Sequence, residues 1–302
     1  MSLLSIGTVA FDAIETPFGK TDKIIGGAAT YISLSASYFT QNLNLVAVVG
    51  EDFPAEYIAL LNSKGINTDG LQIKKGEKSF FWSGKYHNDM NGRDTLITEL
   101  NVLADFDPII PASYQNCEYL MLGNLTPMVQ ETVINRLAKR PKLVVLDTMN
   151  FWMDVALEDL KRVLTKVDVL TINDEEARQL SGESNLLKAA RKVLTMGPKT
   201  LIIKKGEHGA LLINDNDKFY APGLPLEEVF DPTGAGDTFA GGFIGYLAST
   251  GDLSFENMKR AVIHGSAMAS FCVEKFGTEN LLNLNKQMIA DRVAEFSKLV
   301  NF

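Results

Sequence analysis

Short apolar runs alternate with helix-like patterns along most of this chain, and this alternation limits the possible folds more than any other feature. The runs lie at residues 3–11, 45–50, 142–147, 168–173 and 200–206. Strands without polar alternation are buried on both faces, as in parallel sheets whose connections are helices. The pattern therefore predicts an α/β fold with a central, mostly parallel sheet flanked by helices.

Two separate stretches depart from this alternation, at about residues 13–27 and 70–106, where the pattern is polar and strand-like. They predict a small antiparallel β-sheet that projects from the main body as a lid. Because the stretches are far apart in the sequence, we expect one domain over residues 1–302 with a discontinuous lid. A lid excludes water from reactions that water would spoil, whereas edge hairpins without a role are the alternative.

Composition excludes several classes of protein. Lys and Arg number 29 against 37 Asp and Glu, which gives a formal net charge of -8 and disfavours nucleic-acid binding. Two cysteines and three scattered histidines form no disulfide framework and no zinc spacing. The N-terminal residues lack the basic start of a signal peptide, and no apolar run approaches the roughly 18 residues of a membrane span. We expect a cytoplasmic protein without a nucleic-acid or membrane partner.

The segment at residues 228–250 carries the clearest chemistry. A glycine-rich turn precedes an apolar helix, and the free N–H groups and dipole of a helix start favour an anion such as phosphate. Asp237 stands beside that turn, where a carboxylate suits the removal of a proton from a hydroxyl that attacks phosphate. A simple helix cap is the alternative. Phe239 replaces the third glycine of a dinucleotide fingerprint, and no Gly-Lys-Ser/Thr follows, so the turn is neither that fingerprint nor a P-loop. A dehydrogenase is disfavoured because residues 7–12, after the first strand, read GTVAFD and lack G-x-G-x-x-G.

The run D-P-T-G-A-G-D-T-F-A-G-G, residues 231–242, resembles the C-terminal signature of the PfkB, or ribokinase-like, carbohydrate kinases. Further segments match that family in the same order, at residues 26–29, 46–53, 173–176 and 204–209. The resemblance covers nearly the whole chain. It implies a ribokinase-like fold and an ATP-dependent kinase that transfers the γ-phosphate to a hydroxyl, in particular a CH₂OH group.

The resemblance also implies roles for residues around the phosphates. Asp237 would be the general base, and Thr233 would lie along the phosphates. Asn173 and Glu176 would organise Mg²⁺, mainly through waters, although their spacing also fits a helix N-cap. The anion hole would be formed by Gly234, Ala235 and Gly236.

Further implied contacts concern the nucleotide and a second cation. Gly206 would border the nucleotide, and either Lys204 or Lys205 would face the triphosphate. Ser266, in a helix with small residues, would line the adenine, although small residues fit close helix packing equally well. A monovalent cation is implied near residues 229–233 and 276–280.

On the acceptor side, the resemblance assigns Asp12 to the substrate hydroxyls, because a carboxylate accepts two hydrogen bonds. Gly26 and Gly27 would give backbone clearance beside the acceptor, and Asn124 is a further candidate contact. Ribokinase members carry Asn two residues before the Asp and again after the glycine pair. This chain has alanine and Tyr31 there, which disfavours free ribose.

Aromatic residues keep the identity of the acceptor open. Tyr31 and the lid residues would stack on a nucleoside base or a flat sugar face, or would only pack the lid. The lid aromatics are Phe80, Phe81 and Trp82. The sequence thus favours a sugar or a nucleoside, with a sugar phosphate, held by Arg93 and Lys85, as an alternative. Trp152 stands where some members carry arginine, beside the retained Asp147 and Asn150.

Two further expectations depend on the family resemblance. A non-catalytic protein that only binds a nucleotide or nucleoside is the rival to a kinase. The intact set around Asp237 disfavours it, because a pure binder needs no carboxylate beside an anion site. Lid sheets of the family often pair between subunits, so we expect a homodimer through the lid.

Overall fold

The computed structural model describes residues 1–300, which form 14 strands and 11 α-helices. The strands are β1 (Leu3–Ile6), β2 (Ala10–Thr16), β3 (Gly19–Lys20), β4 (Ile24–Gly26), β5 (Leu43–Gly50), β6 (Ile66–Lys74), β7 (Phe81–Tyr86), β8 (Arg93–Glu99), β9 (Tyr119–Leu122), β10 (Leu143–Asp147), β11 (Val169–Asn173), β12 (Thr200–Lys204), β13 (Ala210–Ile213) and β14 (Lys218–Ala221). The helices are α1 (Ala28–Ser37), α2 (Ala55–Ser63), α3 (Pro127–Arg136), α4 (Asn150–Val155), α5 (Leu157–Leu164), α6 (Asp174–Ser181), α7 (Leu186–Leu194), α8 (Ala235–Thr250), α9 (Phe255–Cys272), α10 (Glu279–Leu282) and α11 (Lys286–Val300).

Nine strands form the main sheet, in the order β14-β13-β12-β11-β10-β9-β1-β5-β6. All neighbours from β12 to β6 run parallel, and only the β12-β13-β14 end is antiparallel. The central strands are buried on both faces because helices cover each side. The predicted fold, a mostly parallel sheet flanked by helices, is confirmed.

Each face of the sheet has its own apolar core. One core packs Leu45, Val145 and Ile202 of the strands against α1, α8 and α9. The other packs the alternate strand residues, such as Leu146 and Leu201, against α3, α5, α6 and α7. This alternation follows from the two-residue period of a strand. Within residues 1–300, none of the helices combines the length and hydropathy needed to cross a membrane.

A second sheet of five strands forms the lid, in the order β3-β2-β7-β8 with β4 also paired to β2. It differs from the predicted lid in two respects. First, it is mixed, because β2 and β7 run parallel. Second, residues 70–74 belong to β6 at the edge of the main sheet. Their polar alternation arises because an edge strand is partly open to solvent, and not because they lie in the lid.

The topology fixes where a ligand can bind. Strand β1 lies between β9 and β5. The next strand of the main sheet after β1 is β5, whereas the next strand after β9 is β10, so the two connections lead in opposite directions along the sheet. In such sheets, ligands bind in the crevice at the carboxyl ends of the strands, where the order reverses. Residues 3–11, predicted as one strand, are divided here: β1 ends at Ile6, and β2 begins the lid at Ala10. The lid therefore starts at the mouth of this crevice.

Candidate active site

Asp12 lies in β2 and its side chain is turned into the molecule, where the residue is only 4% exposed. The paired strand β4 makes room for it, because a Cβ on Gly26 would lie 1.9 Å from Asp12 Oδ2. Gly27 starts α1 with a φ of +91°, a conformation that favours glycine. Burial raises the pKa of the Asp12 carboxyl from 3.8 to about 7. The predicted acceptor residues Asp12, Gly26 and Gly27 thus meet in one buried corner.

The residues predicted to form the anion hole make the turn that begins α8. Gly234 has a φ of +74°, and the Tyr31 ring packs directly against it: a Cβ on Gly234 would lie 2.5 Å from three ring atoms. The N–H of Ala235 donates to the carbonyl of Pro232. The N–H groups of the next two residues, in the first turn of a helix of 16 residues, have no acceptor one turn earlier. They remain suitable donors to a phosphoryl group.

Asp237 lies half-buried in this first turn of α8. Burial raises the pKa of its carboxyl above the usual 3.8, the carboxylates of Asp147 and Asp12 add to the rise, and the Lys204 ammonium lowers the pKa. A carboxylate whose pKa is raised is a stronger base and accepts a proton more readily at neutral pH. Its surroundings therefore suit the predicted role as general base.

Lys204, and not Lys205, points into the site. Its Nζ lies 2.8 Å from Asp147 Oδ2, and its side chain is 17% exposed. A Cβ on Gly236 would lie 3.0 Å from the same Nζ, so the ammonium is next to the anion-binding turn. Burial alone lowers the pKa of Lys204, but the carboxylates of Asp147 and Glu176 outweigh it and keep the lysine charged. Lys205 instead lies over the Tyr220 ring.

Asn173 and Glu176 form a capping box at the start of α6, as the alternative for this pair predicted. Asn173 Oδ1 accepts the Glu176 N–H at 2.8 Å, and Glu176 Oε2 accepts the Asn173 N–H at 2.7 Å. Burial raises the pKa of Glu176 to about 7. The box uses only one carboxylate oxygen of Glu176, so the other remains for a water of hydrated Mg²⁺. The donor set fits this cation, which keeps several waters and binds phosphates.

One face of the lid carries Asp12 and is turned toward the turn before α8. Trp82 of β7 is in register with Asp12 of β2, so the two side chains lie side by side on the same face. The indole extends along the lid over Gly84, where a Cβ would lie 2.2 Å from a ring carbon. Its Nε1 donates to Thr95 Oγ1 at 3.3 Å. Phe81 lies on the opposite face and packs against the core with Phe11.

Two contacts join the lid to the phosphate side of the site. The Thr233 hydroxyl donates to the hydroxyl of buried Tyr86 at 3.1 Å, which links β7 to the turn before α8. At the hairpin tip, Asn91 approaches Gly206, where a Cβ would lie 3.5 Å from Asn91 Oδ1. The lid therefore extends from the acceptor corner to the glycine turn after β12.

The two lid cations predicted for a sugar phosphate differ in their contacts. Lys85 Nζ forms an ion pair with Glu15 at 2.6 Å, on the face away from Asp12. Arg93 lies over the Trp82 ring at 5.6 Å, and its charge lowers the pKa of Asp12 and Asp237. Only Arg93 of the pair is thus directed to the site.

Comparison with known sequences identifies the family of this chain. The description "pfkB family carbohydrate kinase" applies to a family that matches residues 2–284. The chain belongs to the pfkB family. It is a phosphotransferase with an alcohol group as acceptor, a sugar or nucleoside kinase.

Curated relatives of the family include nucleoside kinases. The cytidine kinase of Thermococcus kodakarensis is 31% identical over 250 residues, which cover 81% of this chain and 87% of the relative. The nucleoside kinase of Methanothermobacter thermautotrophicus is 27% identical over 296 residues, 92% of this chain and 91% of the relative.

Solved structures confirm the ribokinase-like fold. The nucleoside kinase of Methanocaldococcus jannaschii, described as an archaeal member of the ribokinase family, has a TM-score of 0.78 at 21% identity. The match covers 98% of this chain and 99% of that one. A chain from E. coli solved with ATP and Mg²⁺ has a TM-score of 0.79 at 19% identity, with 97% and 99% covered.

Three predicted site residues of this pfkB chain are buried or already in contact with neighbouring side chains or helices. Tyr31 is 1% exposed, and within residues 1–300 its hydroxyl has no hydrogen-bond partner. Asn124 follows β9 and accepts the Trp152 indole N–H at 2.8 Å. Ser266 is half-buried on α9, which packs closely against α8 where Gly265 meets Gly242. Their contacts with ligands stay predictions.

Sequence reasoning gave no role to three residues that shape the site. Asp147 pairs with Lys204, and Tyr86 links the lid to Thr233. Asp231 accepts the N–H groups of Thr233 at 2.9 Å and Gly277 at 2.8 Å, which fastens the turn before α8 to the segment after α9. Two of the three had a signal in the sequence: Asp231 opens the signature run at residues 231–242, and Asp147 ends a strand at the same sheet edge as Asn173 and Lys204.

Proposed function

We propose that this pfkB-family protein phosphorylates the CH₂OH group of a nucleoside, with ATP as the phosphate donor. The observation that carries the proposal is the position of Trp82, side by side with Asp12 on the lid face turned to the site. A buried carboxylate binds ribose hydroxyls, and an indole offers a flat apolar face to a base. Relatives named cytidine kinase and nucleoside kinase support the same acceptor.

The chemistry follows from the arrangement around α8. Asp237 takes the proton of the acceptor hydroxyl while the hydroxyl oxygen bonds to the γ-phosphorus. The bond from that phosphorus to the β,γ-bridging oxygen breaks, and ADP leaves. Gly234, Ala235 and Gly236 shape the turn whose N–H groups and helix dipole stabilise the charge on the transferred group. Mg²⁺, when bound near Asn173 and Glu176, neutralises charge on the triphosphate.

The remaining ligand contacts complete the proposal. Gly206, Thr233 and Ser266 line the nucleotide, and Lys204 faces its phosphates. Tyr31 and Asn124 border the acceptor, with Asp12, Gly26 and Gly27. A monovalent cation binds where Asp231 joins the turn before α8 to the segment after α9. We also propose that the protein is cytoplasmic and that it forms a homodimer paired through the exposed edge of β8. Residues 1–302 form one domain, of which the lid is a discontinuous part.

A panel of acceptors tests the proposed function. We expect ADP release with Mg-ATP and a pyrimidine or purine nucleoside, and slower release with free sugars and sugar phosphates. Trp82→Ala should raise KM for the nucleoside about tenfold, because base stacking contributes about 1 to 3 kcal/mol, and should leave KM for any sugar that reacts unchanged. Asp237→Asn should abolish turnover and retain ATP binding, while Asp291→Asn on exposed α11 serves as the matched control.

Other outcomes of the panel would replace the proposal. Faster turnover of a sugar phosphate, lost in Arg93→Ala, would assign the lid to phosphate recognition. A nucleoside that raises the melting temperature without ADP release would indicate a binding protein and remove the assigned role of Asp237.

A further inference from the structure

The buried ion pair between Asp147 and Lys204 has no role in the proposed chemistry beyond the direction in which Lys204 points. The two residues end β10 and β12, which lie on either side of β11. Their side chains are 6% and 17% exposed. Moving two charged side chains out of water costs more free energy than placing them at the surface. Two packed apolar side chains in the same positions would often give an equally stable protein. The pair is therefore a candidate for function and not for stability.

The position of the ammonium says what the pair can act on. Lys204 is in register with Asn173, and its side chain reaches across β11 to Asp147. Its Nζ is so near Gly236 that a Cβ there would be only 3.0 Å away. A full positive charge thus lies against the turn whose N–H groups are directed to a phosphoryl group.

The surroundings of Asp147 fix its carboxylate, which can therefore hold the Lys204 ammonium in one position. It ends a central strand, and its Oδ1 accepts the Thr148 N–H at 2.9 Å, which leaves Oδ2 for Lys204. A free lysine side chain samples many rotamers, and two other carboxylates, of Glu176 and Asp237, also attract this ammonium. Without Asp147, Lys204 would be free to pair with the proposed base itself.

We propose that Asp147 is a positioning residue for phosphoryl transfer: it holds the Lys204 ammonium against the turn at Gly234–Gly236, where the ammonium binds the transferred phosphoryl group. The lysine keeps its protons throughout, and its charge balances the negative charge that gathers on the phosphoryl oxygens. The proposal rests on the proposed kinase activity, but it holds for any acceptor, because it concerns the phosphate half of the site.

A double-mutant cycle tests the proposal on four full-length proteins: the wild type, Asp147→Asn, Lys204→Met and the double variant. Lys204→Met should lower kcat about 100-fold, as the loss of one transition-state donor does. Asp147→Asn keeps the side-chain shape and should lower kcat about 10-fold through misplacement of the lysine. The double variant should be no slower than Lys204→Met, because Asp147 has nothing left to position. Asp147→Glu should recover part of the loss.

Controls separate this proposal from the proposed function. Lys205→Met, beside Lys204 but turned to Tyr220, should keep wild-type kcat and KM. Losses that multiply in the double variant, or an Asp147→Asn protein with wild-type kcat, would overturn the positioning role. If the wild type phosphorylates no acceptor, the proposed function fails. The same cycle is then measured as the dissociation constant of Mg-ATP, where independent effects of the two substitutions would overturn the proposal.

Discussion

Burial sets the proton affinity of the acidic side chains in this site. It raises the pKa of Asp12 and of Glu176 to about 7 each, and it raises the pKa of Asp237 as well. Lys204 is the buried cation that these carboxylates share. The ligand-free site therefore carries repulsion that hydrated Mg²⁺ and substrate hydroxyls would relieve. These buried carboxylates therefore make the free protein less stable than it would otherwise be.

Asp12→Asn should show this cost as a gain in stability that depends on pH. The folded-state pKa of about 7 lies above the usual 3.8, so the folded protein binds the proton more tightly than the unfolded chain. The penalty for the carboxylate is thus small near pH 4, grows as pH rises, and is complete above pH 7. We expect the variant to gain about 2 kcal/mol more in free energy of unfolding at pH 8 than at pH 5.

Urea unfolding of both proteins at the two pH values measures this gain. Asp22→Asn, an exposed carboxylate at the start of the hairpin to β4, should show no such difference. A gain of equal size at pH 5 and pH 8 would show that Asp12 is not held with a raised pKa. The Asp12→Asn protein should also turn over more slowly than the wild type, because the acceptor hydroxyls lose a charged partner.

The residues of the site divide by how far apart their partners lie in the chain. The closeness of Asp237 to Gly234 could be predicted because both residues lie in one turn at the start of a helix. The capping box of Asn173 and Glu176 was predictable for the same reason. Asp147 and Lys204 are 57 residues apart, and their contact depends on strand register, which the sequence does not show. Strand register also determines that Lys204, and not Lys205, faces the site.

Among the elements, the lid shows where strand patterns mislead. Apolar runs correctly predicted the buried strands β5, β10, β11 and β12. An edge strand of the main sheet and a lid strand both alternate between polar and apolar residues, so the sequence wrongly places residues 70–74 of β6 in the lid. The parallel pairing of β2 with β7 could not be predicted either, because it depends on the long connection between them.

Tyr86→Phe tests whether β7 acts on the phosphate side of the site. The change removes the hydroxyl that accepts the hydrogen bond from Thr233, and it keeps the buried ring. One neutral hydrogen bond contributes about 1 kcal/mol, so kcat/KM should fall roughly fivefold. Because a loosened lid admits water, ATP hydrolysis without an acceptor should rise relative to transfer.

Tyr38→Phe is the control for this prediction. Tyr38 follows the last residue of α1, and its hydroxyl donates to the Leu281 carbonyl of α10 at 2.5 Å, a contact that involves no lid strand. Loss of that bond should lower stability and leave the ratio of hydrolysis to transfer unchanged. If the Tyr86 variant behaves in the same way, the lid contact is structural and has no part in excluding water.

At the scale of the whole molecule, the lid sheet ends in β8, whose outer edge is exposed. All seven residues of β8 are exposed, and among them Leu96 and Ile97 are 54% and 46% exposed. Within residues 1–300, β8 pairs only with β7, and an open strand edge that carries exposed apolar side chains can pair with another chain. Since Trp82 and Arg93 lie in the same sheet, a partner that pairs with β8 would also stiffen the face turned to the acceptor.

Ile97→Lys should therefore convert the expected dimer into a monomer, because a charge on the exposed face of an edge strand opposes pairing. Light scattering at micromolar concentrations measures the mass, and Met128→Lys, on α3 with a similarly exposed side chain, should leave it unchanged. A wild-type monomer would exclude pairing through the lid. If the monomeric variant also shows a raised KM for the nucleoside with an unchanged KM for ATP, pairing orders Trp82 and not the phosphate side. An unchanged KM for both would leave the edge of β8 as an assembly surface alone.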